Sequence, residues 1–231
     1  MGPLSTWQQI LLWVVPVVLA VTVHEMAHGY TALRFGDHTA EQSGRLSLNP
    51  LRHLSPVGSL LVPVLFFFFT SFIFGWAKPV PVDQQRLHNP RRDMLLVALA
   101  GPLSNLLMSI LWAMVMRMGL WLGNHAVLAG EILIYAGAAG IFINAALMML
   151  NLIPIPPLDG GRVVMGLVPP RLSQLLGRIE PLGIPLLLLL IFSGVLGKVL
   201  WPMMMLGMAT ATHLCGLPIG LLRAALTQLF A

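Results

Sequence analysis

His24, Glu25 and His28 form the pattern HEMAH inside an otherwise almost wholly apolar stretch, residues 7–33. On a helix, positions i and i+4 share a face one turn apart, so both imidazoles can point at one metal ion. Glu25 falls on the adjoining strip, where its carboxylate can reach a water bound to that ion. Two nitrogen ligands and a general base at this spacing are the parts of a metallopeptidase. Within an apolar helix, two histidines and a glutamate are costly unless paired, protonated or bound to metal. A metal site is therefore favoured over a structural hydrogen-bonded cluster.

A catalytic zinc needs a third protein ligand and an open position. Of the acidic residues outside this helix, Asp159 stands out, because it follows an apolar helix in the broken run NLIPIPPLDGG. Pro154, Pro156 and Pro157 interrupt the helix, and Gly160 and Gly161 are expected to relax the turn after the aspartate. Unwound backbone at membrane depth is tolerated where it lines a site. Asp159 is thus the favoured third ligand, with a helix-end cap as the alternative. Asn151 opens the same run and could donate to a scissile carbonyl and its developing oxyanion, or instead satisfy carbonyls freed near Pro154. In GPLSN, residues 101–105, Gly101 permits close helix contact, and Ser104 and Asn105 can bond between helices.

The elements that must carry these groups are membrane helices. Of 231 residues, 57% are hydrophobic and only 9% are Asp, Glu, Lys or Arg, against about a quarter charged in soluble domains. Mean hydropathy is +0.86, and the apolar residues come in blocks near the length that spans a bilayer. Blocks at 7–33, 56–76, 94–122, 131–152 and 182–197 are read as membrane helices. A weaker block at 199–211 is expected to dip into the membrane or line its surface. The run GRLSLNP, 44–50, alternates like a short strand or hairpin edge at the membrane surface. The net charge of +5 sits in short loops between apolar blocks, which argues membrane topology and not nucleic-acid binding. Basic loops at 34–55, 77–93 and 160–180 belong in the cytoplasm, so 56–76 is expected to enter and return on one face, with a single crossing and one basic loop outside as the alternative. Arg117 is expected to reach the outer headgroups. The lone Cys215 excludes an internal disulfide and a cysteine metal site. The first residues lack a basic region, so they read as a helix start and not a cleaved signal peptide.

HEMAH at 24–28 together with NLIPIPPLDGGR at 151–162 resembles the site-2 protease family of intramembrane zinc metallopeptidases, in its compact bacterial type without a PDZ domain. GRLSLNPLRHLSPVG at 44–58, FGWAKPVPV at 74–82 and NPRRDMLLVALAGPLSN at 89–105 extend the likeness from about Val21 to Val164. The resemblance implies that His24, His28 and Asp159 bind one zinc ion and that Glu25 activates the hydrolytic water. It implies that Asn151 holds substrate or stabilises the intermediate, and that GPLSN is the family's Gly-x-x-x-Asn helix motif. Ser55 departs from the family's His-x-Asp-Pro pattern, which weakens any role for His53. Family members cut transmembrane segments of regulatory or signal-peptide-like proteins, often after a first cut by another protease.

These readings converge on an all-α polytopic membrane protein, one membrane-embedded peptidase domain over residues 1–231. It has a site-2-protease-like helical core and a short membrane-surface β hairpin. The expected place is the bacterial cytoplasmic membrane, and the expected partners are transmembrane substrates and the bilayer. A metal transporter should repeat its metal-binding segments across the bilayer and gives Glu25 no task. A non-catalytic helix-binding protein has no need for a complete set of ligands and base.

Overall fold

The computed structural model describes residues 4–53, 55, 58 and 78–231. Within them the chain forms helices α1 (Thr6–Arg34), α2 (Thr39–Gln42), α3 (Pro90–Gly123), α4 (Val127–Asn151), α5 (Asp159–Leu167), α6 (Pro170–Ile179), α7 (Gly183–Phe192), α8 (Val195–Leu214) and α9 (Ile219–Leu229). The stretches Thr6–Arg34, Pro90–Gly123, Val127–Asn151, Pro170–Phe192 and Val195–Leu214 are long and apolar enough to cross a membrane. The chain is a multi-pass membrane protein. The expected re-entrant stretch 56–76 lies outside the described residues, apart from Gly58.

Local chemistry sets the helix ends. Ser5 and Gln8 form a reciprocal capping box that satisfies the first free amides of α1. Pro90 opens α3, and Asp93 accepts the Asn89 amide at 2.7 Å. α3 and α4 make a close antiparallel hairpin, in which a methyl added at Gly137 would stand 2.6 Å from Met116 Cβ. Small residues at such contacts let backbones approach in lipid, where no hydrophobic force drives helices together. α4 is the most enclosed of the long helices. Its Ala138, Ala139, Ile141 and Ala145 lie in a core with Met208 of α8 and Leu222 and Leu226 of α9.

The basic ends of the helices gather on one face. The His88 amide donates to Phe35 O at 2.9 Å, and the Arg91 guanidinium caps the end of α5 at Gly166 O and Val168 O. At the opposite end, Arg117 of α3 donates to Cys215 O, just past α8. Arg117 therefore caps a helix, where reach to outer headgroups was the expectation. That bond also orients α8, which runs from the basic face to the far one over about 30 Å. The block expected to dip or lie flat is thus a full-length helix. Pro170–Phe192 behaves differently. It breaks at the turn Glu180–Leu182, and Leu187 packs on Ile153 and Leu196, beside the basic end of α4.

The expected β hairpin is not formed: among the described residues there is no strand. The alternating run 44–50 instead winds around the buried Arg45 side chain, whose guanidinium donates to Arg52 O, to Lys78 O at 2.7 Å and to Pro79 O at 3.3 Å. Its amides close local turns. Arg45 N–H bonds Ala40 O, Ser47 N–H bonds Arg45 O, and Asn49 caps the turn Pro50–Arg52. Pro50 has no amide to offer a ladder. Carbonyls gathered on one cation defeat the strand that the alternation suggests.

Asp37 ties this face together. Its buried carboxylate accepts Thr39 N–H at 2.9 Å, the Thr39 hydroxyl, and Asp83 N–H at 2.7 Å. Burial alone would raise its pKa, but these donors, helped by Arg86, hold it below the usual carboxylate range. A depressed native pKa adds stability above the unfolded value near 3.8, and that stability fades as pH falls through the native value. Asp37→Asn should cost about 1–3 kcal/mol at pH 7, because its amide would face a donor. Thermal melts in detergent should show this gap closing toward pH 3; a gap independent of pH would count against the assignment.

Candidate metal centre

α1 places His24 and His28 one turn apart on the side facing α3, and the broken run after α4 returns Asp159 to the same point. His24 Nε2 and His28 Nε2 stand 3.1 Å apart. Asp159 Oδ2 lies 3.2 Å from the first and 3.3 Å from the second. Among the described residues this is the only trio of His, Cys, Asp or Glu so arranged. His38, His53, His88, His125 and His213 take no part.

The hydrogen-bond network decides what these atoms can do. His28 Nδ1 lies 2.7 Å from Val97 O, an acceptor only, so this nitrogen carries the proton. Pro102 offers no amide to the preceding turn of α3, which loosens the backbone beside that carbonyl. His24 Nδ1 lies 2.6 Å from Asn105 Oδ1. Asn105 Nδ2 donates to Ala20 O at 3.3 Å and to Asn144 Oδ1 at 2.9 Å, and Asn144 Nδ2 donates to Gly140 O. That chain assigns Oδ1 of Asn105 as the acceptor and puts the second proton on His24 Nδ1. Both Nε2 atoms therefore present lone pairs, and they meet the carboxylate oxygen Asp159 Oδ2, which is buried without a hydrogen-bond partner. Three converging lone pairs repel each other unless a cation joins them. Tetrahedral ligands at about 2.0–2.1 Å from zinc stand roughly 3.3 Å from one another, so the donor set fits that ion. The centre can hold a metal.

The glycines act through close approach. A methyl at Gly101 would stand 2.4 Å from His28 Nε2 and 2.5 Å from His24 Cε1, so only glycine lets α3 pass the imidazoles. Gly160 and Gly161 lie in the first turn of α5, where relaxed turn conformations were expected. A methyl at either would strike Leu152 O or Pro156 N at 2.4 and 2.3 Å. Asp159 is the first residue of α5, after the N-cap Leu158, and it makes no capping bond. Its carboxylate is turned to the imidazoles.

The remaining predicted residues divide. Glu25 Oε2 accepts Val80 N–H at 2.7 Å, from the KPVPV stretch at 78–82. Glu25 follows His24 directly in α1. Asn151 Nδ2 donates to Leu147 O of its own helix at 3.0 Å. Ser104 bonds Gly101 O within α3, where an interhelical bond was expected. Asn105 does bond between helices, to the centre itself. Asn144 was missed, although a lone amide in the apolar run IFINAAL is the kind of intramembrane polar group that signals function.

Asn105→Ala should weaken zinc binding by about 10–100-fold, the usual effect of losing a ligand's orienting partner. Competition with a chromophoric chelator measures it. Unchanged affinity would mean that Asn105 serves packing alone.

No family model and no solved structure matches the chain. Curated proteins do. YwhC of Bacillus subtilis (strain 168), assigned as a zinc metalloprotease, is 36% identical over 202 residues, covering 84% of this chain and 86% of that protein. Rip2 of Mycolicibacterium smegmatis, similarly assigned, is 31% identical over 197 residues, covering 85% and 72%. Rip2 of Mycobacterium tuberculosis (strain ATCC 25618 / H37Rv) is 33% identical over 190 residues, covering 80% and 70%. With likeness along most of both chains and a His-His-Asp cluster within a multi-pass bundle, the chain belongs to the site-2 protease family of intramembrane zinc metalloproteases.

Proposed function

We propose that His24, His28 and Asp159 hold one zinc ion, and that Glu25 is the general base with which this protease hydrolyses peptide bonds in or near transmembrane segments. The convergence of three lone-pair atoms within 3.3 Å, each imidazole fixed by its other nitrogen, carries the reading. Zinc bound there would lower the pKa of a bound water and polarise a carbonyl. Glu25 takes the water's proton and returns it to the leaving amine. Its bond from Val80 orients the carboxylate and ties it to the stretch outside the membrane. Asn151, on the helix end beside Asp159, turns its amide from Leu147 O to the scissile carbonyl when substrate arrives. A helical substrate must unwind there, since helical bonding shields the scissile bond.

Water has a route. A cavity of about 230 Å³ is lined by Val82, Met94 and Arg162 among others. Val82 is two residues from Val80, Met94 is one turn from Val97, and Arg162 is one turn from Asp159. These neighbours in the chain support water entry from that side of the bundle. Residues 1–231 act as one peptidase unit, a reading supported by the shared core of α1, α3, α4, α8 and α9.

The test is cleavage of single-span membrane substrates by purified protein, with the cut mapped by mass spectrometry. Chelation by 1,10-phenanthroline should stop cleavage and zinc should restore it. Chelator-resistant cleavage would sink the metal mechanism, and cuts confined to soluble tails would sink the assigned location.

A further inference from the structure

Away from the metal trio, Arg45, Arg52 and Lys78 line one open cavity of about 340 Å³, together with Ser43, Gly44 and Leu51. The lining includes no carboxylate, and none of the three cations forms an ion pair among the described residues. Their visible partners are neutral: Arg52 donates to Gly44 O, and Arg45 donates to Arg52 O, Lys78 O and Pro79 O. Arg45 is only 9% exposed, and its Nε has no hydrogen-bond partner. A buried guanidinium nitrogen without an acceptor is costly, and carbonyl oxygens do not neutralise three full charges. The missing component is an anion able to accept several N–H bonds at once, which describes a phosphate.

The position selects its source. Arg52 and Lys78 flank the apolar stretch 56–76 in the sequence, the place where basic residues of a membrane protein meet the headgroups. Basic clusters at that boundary attract anionic headgroups. We propose that Arg45, Arg52 and Lys78 form a binding site for the phosphate of an anionic phospholipid. Arg45 holds the carbonyls of Lys78 and Pro79, and the next amide, Val80 N–H, holds Glu25. An occupied site would steady the segment that orients Glu25; this consequence, unlike the binding itself, rests on the proposed role of Glu25.

The test uses the full chain in nanodiscs of phosphatidylglycerol with phosphatidylcholine, and in phosphatidylcholine alone. Native mass spectrometry should find phosphatidylglycerol retained by the wild type, with retention at least 10-fold lower for Arg52→Gln/Lys78→Gln. The double change Arg171→Gln/Arg178→Gln removes the same charge from α6 and should leave retention unchanged. Equal loss in both variants, or in neither, would overturn the site. A second readout needs no variant, because the chain has two lysines, Lys78 and Lys198. Phosphatidylglycerol should slow amine acetylation of Lys78 and not of Lys198; equal effects on both would overturn the proposal. Inorganic phosphate at millimolar concentration is the remaining arm. Protection of Lys78 by phosphate but not by phosphatidylglycerol would overturn the lipid as source.

Discussion

Glu25→Gln should keep its zinc and lose proteolysis by about 10²–10⁴-fold, the usual contribution of a positioned general base. The substitution keeps an oxygen that can accept Val80 N–H, so the stretch at 78–82 stays docked. It leaves His24, His28 and Asp159 unchanged. What disappears is the ability to take a proton from water. Metal content by elemental analysis, read beside cleavage of a single-span substrate, separates the two functions. A variant with full zinc and wild-type cleavage would remove Glu25 from the mechanism. A variant that lost zinc as well would mean that the carboxylate supports the metal trio itself.

Gly101→Ala should be nearly as damaging by a different route. The added methyl overlaps His28 Nε2 and His24 Cε1 at 2.4 and 2.5 Å. Either imidazole can escape only by leaving Val97 O or Asn105 Oδ1, and with it the direction of its lone pair. Overpacking of this kind costs about 1–3 kcal/mol in an otherwise intact fold. The expected result is zinc affinity at least about 100-fold weaker, with the helical content unchanged by circular dichroism. Gly197→Ala in α8 is the matched control, since a methyl there meets nothing within 4 Å. If both variants bound zinc like the wild type, the close passage of α3 would have no part in building the site.

The trio was legible because two of its members share a helical face and the third follows a run of prolines that no helix can absorb. Helices α1, α3 and α4 were legible as apolar blocks, to within a few residues at most ends. The 44–50 loop was misread for a physical reason. Alternation reports which side chains seek water, whereas this loop is organised by one guanidinium that collects backbone carbonyls from two distant stretches. No periodicity encodes that. α8 was underestimated because its hydropathy is only 1.2, against 2.0 for α1, α3 and α4. α9 was not anticipated at all; it is too short to span and gains its order from the core it covers. Asn144 shows the opposite error, because a lone amide in an apolar helix was visible and was left unused.

The two imidazoles come from α1 and the carboxylate from α5, after the α3–α4 hairpin. During synthesis the nascent chain therefore displays a pair of histidines long before it displays the aspartate. On the proposed ligand set, tight metal binding has to wait until α5 has emerged and Gly160 and Gly161 have settled against the turn behind them. On that ligand set, peptide cleavage by a copy of this chain has to wait until its own α5 is in place.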